Sequence, residues 1–242
     1  MEKELIKLTG IYKSFAGVQA LQNVDFTIRE GEVRCLAGEN GSGKSTLSKV
    51  LLGVYAPCEG EIRVDGAAVP LSGLAFERVS SVFQDYVRYE LTVGENIWFS
   101  VPEETPDDMQ IRQAARKADA DCFVEQLPGG YDTPVGSLLE HSVELSGGQW
   151  QKLAVARGFY AKGSLILLDE PNASMDVMTE ATIYQQYYEQ IRGSGCIGIL
   201  ISHRLGSTRF CDRILVLKDG KIVQGAMVNI VRRLPAEHVL GT

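Results

Sequence analysis

The run Gly38-Glu39-Asn40-Gly41-Ser42-Gly43-Lys44-Ser45-Thr46 constrains this 242-residue chain more than any other stretch. It fits G-x-x-x-x-G-K-[ST], a loop that needs a strand before it and a helix after it. Its glycines allow tight turns with positive φ and let several backbone N–H groups converge on one small volume, which suits a phosphate. Lys44 adds a point cation for the β- and γ-phosphates of a nucleoside triphosphate, and the Ser45 hydroxyl is a ligand for Mg²⁺. The context agrees. Val33 to Ala37 reads as a strand, and Leu47, Leu51 and Val54 recur at helical spacing, so the positive end of a helix faces the anion. A glycine turn that merely joins two elements has no use for Lys44 and Ser45 together.

Two further stretches extend this chemistry. Leu165-Ile166-Leu167-Leu168 reads as a buried strand, and it ends in Asp169-Glu170. An acid at that place has no packing role, whereas phosphoryl transfer needs one carboxylate near the metal and another to orient or deprotonate water. Adjacent strand residues point to opposite sides, so Asp169 is assigned to the metal and Glu170 to the base. The alternative for Glu170 is a helix-capping acid. Leu145-Ser146-Gly147-Gly148-Gln149 opens a stretch with Leu153, Ala154 and Arg157 at helical spacing. Ser146 is a good N-cap and the glycines expose N–H groups, which makes a second anion site or simply a capped helix start.

A glycine loop, then Leu145 to Gln149, then a strand ending in Asp-Glu: in this order the stretches resemble the nucleotide-binding domain of ATP-binding cassette (ABC) ATPases. The resemblance covers roughly residues 4 to 225. It implies an α/β fold: a P-loop NTPase core with a mainly parallel sheet, an antiparallel β subdomain and an inserted α-helical subdomain. It implies Mg²⁺-dependent ATP hydrolysis powering a membrane transporter, with ATP contacts at Gly38, Asn40, Gly41, Ser42, Gly43, Lys44, Ser45 and Thr46. Ser146, Gly147, Gly148 and Gln149 then close in trans over the nucleotide held by a second subunit. The working unit is a head-to-tail homodimer, or a heterodimer with another ABC ATPase. Further matches follow the family's order. Gln84, after Val79 to Phe83, is similar to the glutamine that contacts Mg²⁺ and water, so Ser45, Gln84 and Asp169 form the metal set. His203, after the apolar run Ile197 to Ile201, resembles the switch histidine sensing the γ-phosphate. Glu170, His203 and Gln84 are thus the catalytic set. Ala173-Ser174-Met175-Asp176 resembles the loop that follows the base. Phe15 matches the aromatic that stacks on adenine, with Tyr12 as the alternative and a core packing role as the plain reading.

Composition bounds the rest. A chain of 242 residues can bury a substantial core as one domain with a subdomain. No apolar run approaches the roughly 18 residues that span a bilayer, and Met1-Glu2-Lys3-Glu4 leads into no signal-peptide core. The expectation is a cytoplasmic protein, peripheral on the cytoplasmic face of a membrane and bound to a transmembrane transporter subunit or domain. Five cysteines without C-x-x-C spacing read as reduced and mostly buried. A formal net charge of −7 argues against nucleic acid as a partner. Glu103, Glu104, Asp107 and Asp108 read as a solvated loop or helix start, not a metal site. Trp98 and Trp150 read as packing residues, and His141 and His238 as solvated.

Along the chain, residues 4–90 and 143–225 are assigned to the core with its antiparallel subdomain, 91–142 to the helical subdomain and 226–242 to a tail. Within 91–142, Ile111, Ala114, Ala115 and Ala118 share a helix face, and Pro128-Gly129-Gly130 ends the helical pattern. Strands are expected at 165–169, 197–201 and 213–217. The segment around Gln84 and Tyr86 to Leu91 is where such domains meet a membrane partner. The stretch Ser14 to Leu21 through Gly41 is similar to ATPases of bacterial monosaccharide importers. From Phe83 onward, Gly130 to Gly136 and Ser202 to Leu205 are more similar to exporter ATPases of the peptide and lantibiotic kind. Exporter type is the preferred expectation, and a sugar-type importer or a soluble non-transport ABC ATPase is the alternative. The chain is read as excised or stand-alone, or as a mosaic. A P-loop kinase or GTPase has no use for Leu145 to Gln149, and no Asn-Lys-x-Asp guanine-reading segment occurs.

Overall fold

In chain order the elements are β1 (Glu4–Phe15), β2 (Val18–Arg29), β3 (Val33–Ala37), α1 (Lys44–Leu51), β4 (Glu59–Val64), β5 (Ala67–Val69), β6 (Val79–Val82), α2 (Val93–Trp98), α3 (Asp108–Lys117), α4 (Asp121–Val124), α5 (Gly147–Ala161), β7 (Leu165–Asp169), α6 (Val177–Ser194), β8 (Ile197–Ile201), β9 (Arg213–Lys218) and β10 (Lys221–Met227). The computed structural model describes residues 4–69, 79–83, 85–102, 105–137, 141–161, 163, 165–169, 177–194, 196–202, 208–209 and 211–227. They fall into two compact units, one drawn from 1–77, 164–167 and 188–242, the other from 78–163 and 168–187.

The first unit holds two sheets. One is antiparallel, in the order β2-β1-β4-β5. Its strands bury one face: Ile6 and Leu8 on β1, and Val24, Phe26 and Ile28 on β2, alternate with more exposed neighbours. Of the second, this unit carries β10-β9-β3-β8 and most of β7, in that order. Here β3 pairs in parallel with both β8 and β9, and β10 closes one edge antiparallel to β9. Strands covered on both faces read as unbroken apolar runs. All five residues of Ile197–Ile201 are buried, as are the first four of β3 and of β7. The strands expected at 33–37, 165–169, 197–201 and 213–217 stand at these places.

The phosphate-loop helix is shorter than its apolar spacing predicts. Helix α1 stops at Leu51, and Val54 lies beyond it, 62% exposed. Gly53 takes φ +72° there, and the N–H groups of Val54 and Tyr55 fold back to donate to the Lys49 carbonyl at 2.9 and 3.1 Å. A residue at i+7 is no helix marker once the backbone turns at i+6.

The second unit contains β6 and helices α2 to α5. Helix α3 buries Ile111, Ala114 and Ala115, with Ala118 as its C-cap, so the expected face is the packed one. It ends well before Pro128, because Asp119 adopts φ +55° and breaks the run. Residues 128–130 instead lead into a 3₁₀ turn at Gly130–Asp132. Asp107 is the N-cap of α3, accepting from the N–H groups of Met109 and Gln110 at 2.9 and 3.1 Å. That is the helix start expected from its acidic cluster; Glu103 and Glu104 lie outside the described residues. Trp150 is buried, Trp98 half-buried and His141 exposed, while His238 lies outside the described residues. None of the five cysteines forms a disulfide, and only Cys35 and Cys211 are buried. Cys58 and Cys122 are exposed, which corrects the expectation of mostly buried thiols. One lies in the segment between α1 and β4, the other in the first turn of α4. Among the described residues no helix is long and apolar enough to cross a membrane.

Candidate functional site

The loop between β3 and α1 is built for an anion. Gly38 has φ +151° and Gly43 has φ +103°, conformations that L side chains rarely adopt. Space is denied as well: a Cβ on Gly38 meets the Leu217 carbonyl oxygen at 2.3 Å, and one on Gly43 meets that of Ala20 at 2.6 Å. Gly43 is also the N-cap of α1, and no side chain caps this helix. The first intrahelical bond runs from Leu47 N–H to the Gly43 carbonyl at 2.8 Å. The N–H groups of Ser45 and Thr46 therefore precede the helical ladder, at the positive end of the dipole. No acidic residue in the first turn offsets that charge.

Two side chains complete the loop. Lys44 is buried, and its ammonium donates to the carbonyls of Gly38 at 2.6 Å and Glu39 at 2.9 Å, which holds the cation over the loop. Ser42 is buried too, and its hydroxyl has no hydrogen-bond partner among the described residues. An orphaned buried hydroxyl costs about 1–3 kcal/mol unless a ligand satisfies it. An uncapped helix start, a held ammonium and an orphaned hydroxyl form a donor set that fits a polyphosphate. Asn40, Gly41 and Ser45 are exposed and Thr46 half-buried along the same stretch.

Phe15 ends β1 at the tip of the hairpin turn made by Ala16 and Gly17. Its ring is 40% exposed and meets the Tyr55 ring edge-on, centroids 5.0 Å apart. Tyr12, the alternative, is half-buried within β1 opposite Glu59 of β4. Phe15 is thus the aromatic with an open surface.

In the second unit, Ser146 starts α5 with a reciprocal cap. The Gln149 N–H donates to Ser146 Oγ at 3.3 Å, and the Ser146 N–H donates to Gln149 Oε1 at 2.9 Å. Ser146 and Gly147 are exposed. A Cβ on Gly148 meets no atom within 4 Å among the described residues, so their packing gives no reason for glycine there. Asp169 ends β7, partly exposed. Three assigned catalytic residues, Gln84, Glu170 and His203, lie outside the described residues, as does Ala173 to Asp176.

Sequence reading missed two supports of this second unit. Tyr86 donates its hydroxyl to the Gly147 carbonyl at 2.9 Å, tying the segment after Gln84 to the start of α5. Arg157, read only as a helical position, donates from Nε to the Asn96 carbonyl at 2.9 Å and from its terminal nitrogens to Asn96 Oδ1 and the Val87 carbonyl. Its guanidinium also lies 4.5 Å from the Tyr89 ring centroid. Burial lowers the Arg157 pKa, and the neighbouring Tyr89 opposes that shift only in part. An arginine on a helix pattern carries no signal for partners some sixty residues away.

Residues 21–173 match the ABC transporter family. The chain is 36% identical to the nisin transport ATP-binding protein NisT of Lactococcus lactis subsp. lactis, over 90% of this chain and 36% of that protein. It is 37% identical to an ATP-dependent lipid A-core flippase of Dechloromonas aromatica, over 89% of this chain and 37% of the flippase. Among solved structures it superposes on a bacterial Atm1-family ABC exporter with ATP bound, at a TM-score of 0.81 and 28% identity, covering 96% of this chain and 40% of the exporter. The chain thus spans little more than a third of the length of these relatives.

Proposed function

The chain belongs to the ABC transporter family, and from that premise we propose that it is a Mg²⁺-dependent ATPase that drives an exporter-type transporter. The observation that carries this reading is the loop at 38–46: buried Lys44, the orphaned Ser42 hydroxyl and the uncapped start of α1 all offer donors to one polyphosphate.

In this reading the loop N–H groups and Lys44 bind the β- and γ-phosphates, and Phe15 offers its open ring to adenine. Ser45, Asp169 and Gln84 hold the metal, which when bound neutralises charge building on the phosphate oxygens. Glu170 orients or deprotonates the attacking water, and His203 senses the γ-phosphate. Ser146 to Gln149 serve the nucleotide of a second subunit, their N–H groups and helix dipole facing its γ-phosphate. Gly148 supports this assignment, since packing among the described residues does not require it. The partners are then a second ABC ATPase subunit, identical or not, and a transmembrane domain that the segment near Gln84 touches. The location is the cytoplasmic face of a membrane. Residues 91–142 act as the helical subdomain on the core of 4–90 and 143–225.

Two substitutions test the site. Lys44→Ala abolishes tight MgATP binding, read by equilibrium titration; unchanged affinity removes the phosphate-loop assignment. Glu170→Gln keeps ATP binding but loses about 10²–10⁴-fold in steady-state hydrolysis. Wild-type turnover in that variant removes Glu170 from the chemistry.

A further inference from the structure

The base end and the phosphate end of a nucleotide are covalently joined, so a protein that grips both must hold its two gripping elements at a fixed spacing. Here the phosphate grip is the start of α1, and the base platform is Phe15 at the end of β1. A phenylalanine at a hairpin tip, 40% exposed, has rotamers to choose from unless a neighbour restricts it. That neighbour is Tyr55. Its ring meets Phe15 edge-on, at 66° between planes and 5.0 Å between centroids, an arrangement the ring quadrupoles favour. Its backbone is tied to the phosphate helix, which ends at Leu51: Tyr55 N–H donates to the Lys49 carbonyl in α1 at 3.1 Å. Two ammonium groups hold the ring from either element. Lys49 of α1 lies 5.4 Å from the Tyr55 centroid, and Lys13 of β1 lies 5.7 Å away. Lys13 also sits 5.0 Å from the Phe15 centroid and donates to the Ala56 carbonyl at 2.6 Å.

We propose that Tyr55 is a positioning residue for nucleobase recognition: anchored on the end of α1, it sets the tilt of the Phe15 ring and its distance from the phosphate loop. The early end of α1, which the Leu47, Leu51 and Val54 spacing does not anticipate, is what frees Tyr55 for this task. Ordering the platform in advance removes an ordering cost at binding, so its loss is read in affinity for the base and not for the phosphates. This rests on the reading of Phe15 as the adenine platform.

The test is calorimetric titration of the 242-residue chain with MgATP and, separately, with magnesium tripolyphosphate, which has no base. Tyr55→Ala is expected to weaken MgATP binding about three- to tenfold and to leave tripolyphosphate affinity within about twofold, while Tyr55→Phe restores MgATP binding. Tyr55 is half-buried, and Tyr55→Leu keeps apolar bulk without a ring edge, so it should behave as the alanine variant does. Equal weakening of both ligands overturns the proposal, because it marks damage to α1. So does a leucine variant that matches wild type, or a Phe variant as weak as Ala. If Phe15→Ala weakens MgATP and Tyr55→Ala does not, the positioning role falls and the platform stands. If Phe15→Ala has no effect on MgATP, the platform falls and takes this inference with it.

Discussion

Gly43 and Gly148 are both glycines at helix starts in stretches proposed to bind anions, and the structure separates the reasons for them. Gly43 is required by its own chain: φ is +103° and a Cβ strikes the Ala20 carbonyl oxygen at 2.6 Å. Gly43→Ala should cost roughly 2–4 kcal/mol of folding stability from backbone strain and overpacking, measured by urea unfolding. Gly148 sits in helix α5 with open space around the added methyl among the described residues. Gly148→Ala should leave the unfolding midpoint unchanged or slightly raised, since alanine favours helix by up to about 1 kcal/mol. If the stretch closes on a partner's nucleotide, ATPase activity nevertheless falls about 10–100-fold. A stable variant with full activity would remove Gly148 from the trans site. At this scale the phosphate loop was legible in the sequence because its chemistry lies in contiguous residues. The Ser42 hydroxyl could be named as a donor but not seen as orphaned, since burial and lack of partners come only with the fold.

Helix α5 begins with a capped glycine pair and is held at its middle by a polar clamp. Asn96 is wholly buried; its amide donates to the carbonyls of Tyr89 and Thr92 at 3.0 and 3.1 Å, and its oxygen accepts from Arg157 at 3.1 Å. Asn96→Leu removes these bonds, with a longer one to the Leu91 carbonyl at 3.5 Å, and leaves a desolvated guanidinium short of a partner. The expected loss is roughly 2–4 kcal/mol in the urea midpoint analysis. A second polar cluster gives a pH signature. Burial pushes the Asp121 carboxyl up, but the Tyr131 hydroxyl at 2.6 Å and Arg116 at 3.1 Å outweigh it and leave the pKa below the usual value. A depressed carboxyl stabilises the fold above its unfolded pKa of about 4 and loses that contribution as pH falls through the lower, folded value. Asp121→Asn should therefore destabilise the chain at pH 7 more than at pH 3, and an equal effect at both would remove the ionic explanation. Elements read well from sequence where one period ran uninterrupted, as in β3, β7 and β8. They read poorly at ends, since α1 and α3 stop where Gly53 and Asp119 take positive φ. The Arg157–Asn96 clamp was invisible because nothing local marks it.

Association is the property on which the whole reading depends. Each chain carries a formal charge of −7, so two copies repel at long range and have no electrostatic reason to pair without ligand. Pairing must come from something local and conditional. In the proposed head-to-tail pair, a γ-phosphate held by one chain's loop and faced by the start of the partner's α5 would supply it, because a helix start attracts an anion only at short range. Hydrolysis removes that anion, so a chain that binds and cannot hydrolyse should accumulate as a pair. Glu170→Gln in MgATP is expected to elute at twice the monomer mass in size exclusion with light scattering, and to return to monomer when Mg²⁺ is chelated. Adding Ser146→Arg to that background places a bulky cation at the start of α5 and leaves residues 38–46 untouched. The double variant should still bind one MgATP per chain by titration, yet remain monomeric. That combination separates the two halves of the site. If Ser146→Arg abolished nucleotide binding within a single chain, residues 146–149 would act in cis and the head-to-tail pair would be wrong. If the double variant still dimerised, the start of α5 would have no part in the junction.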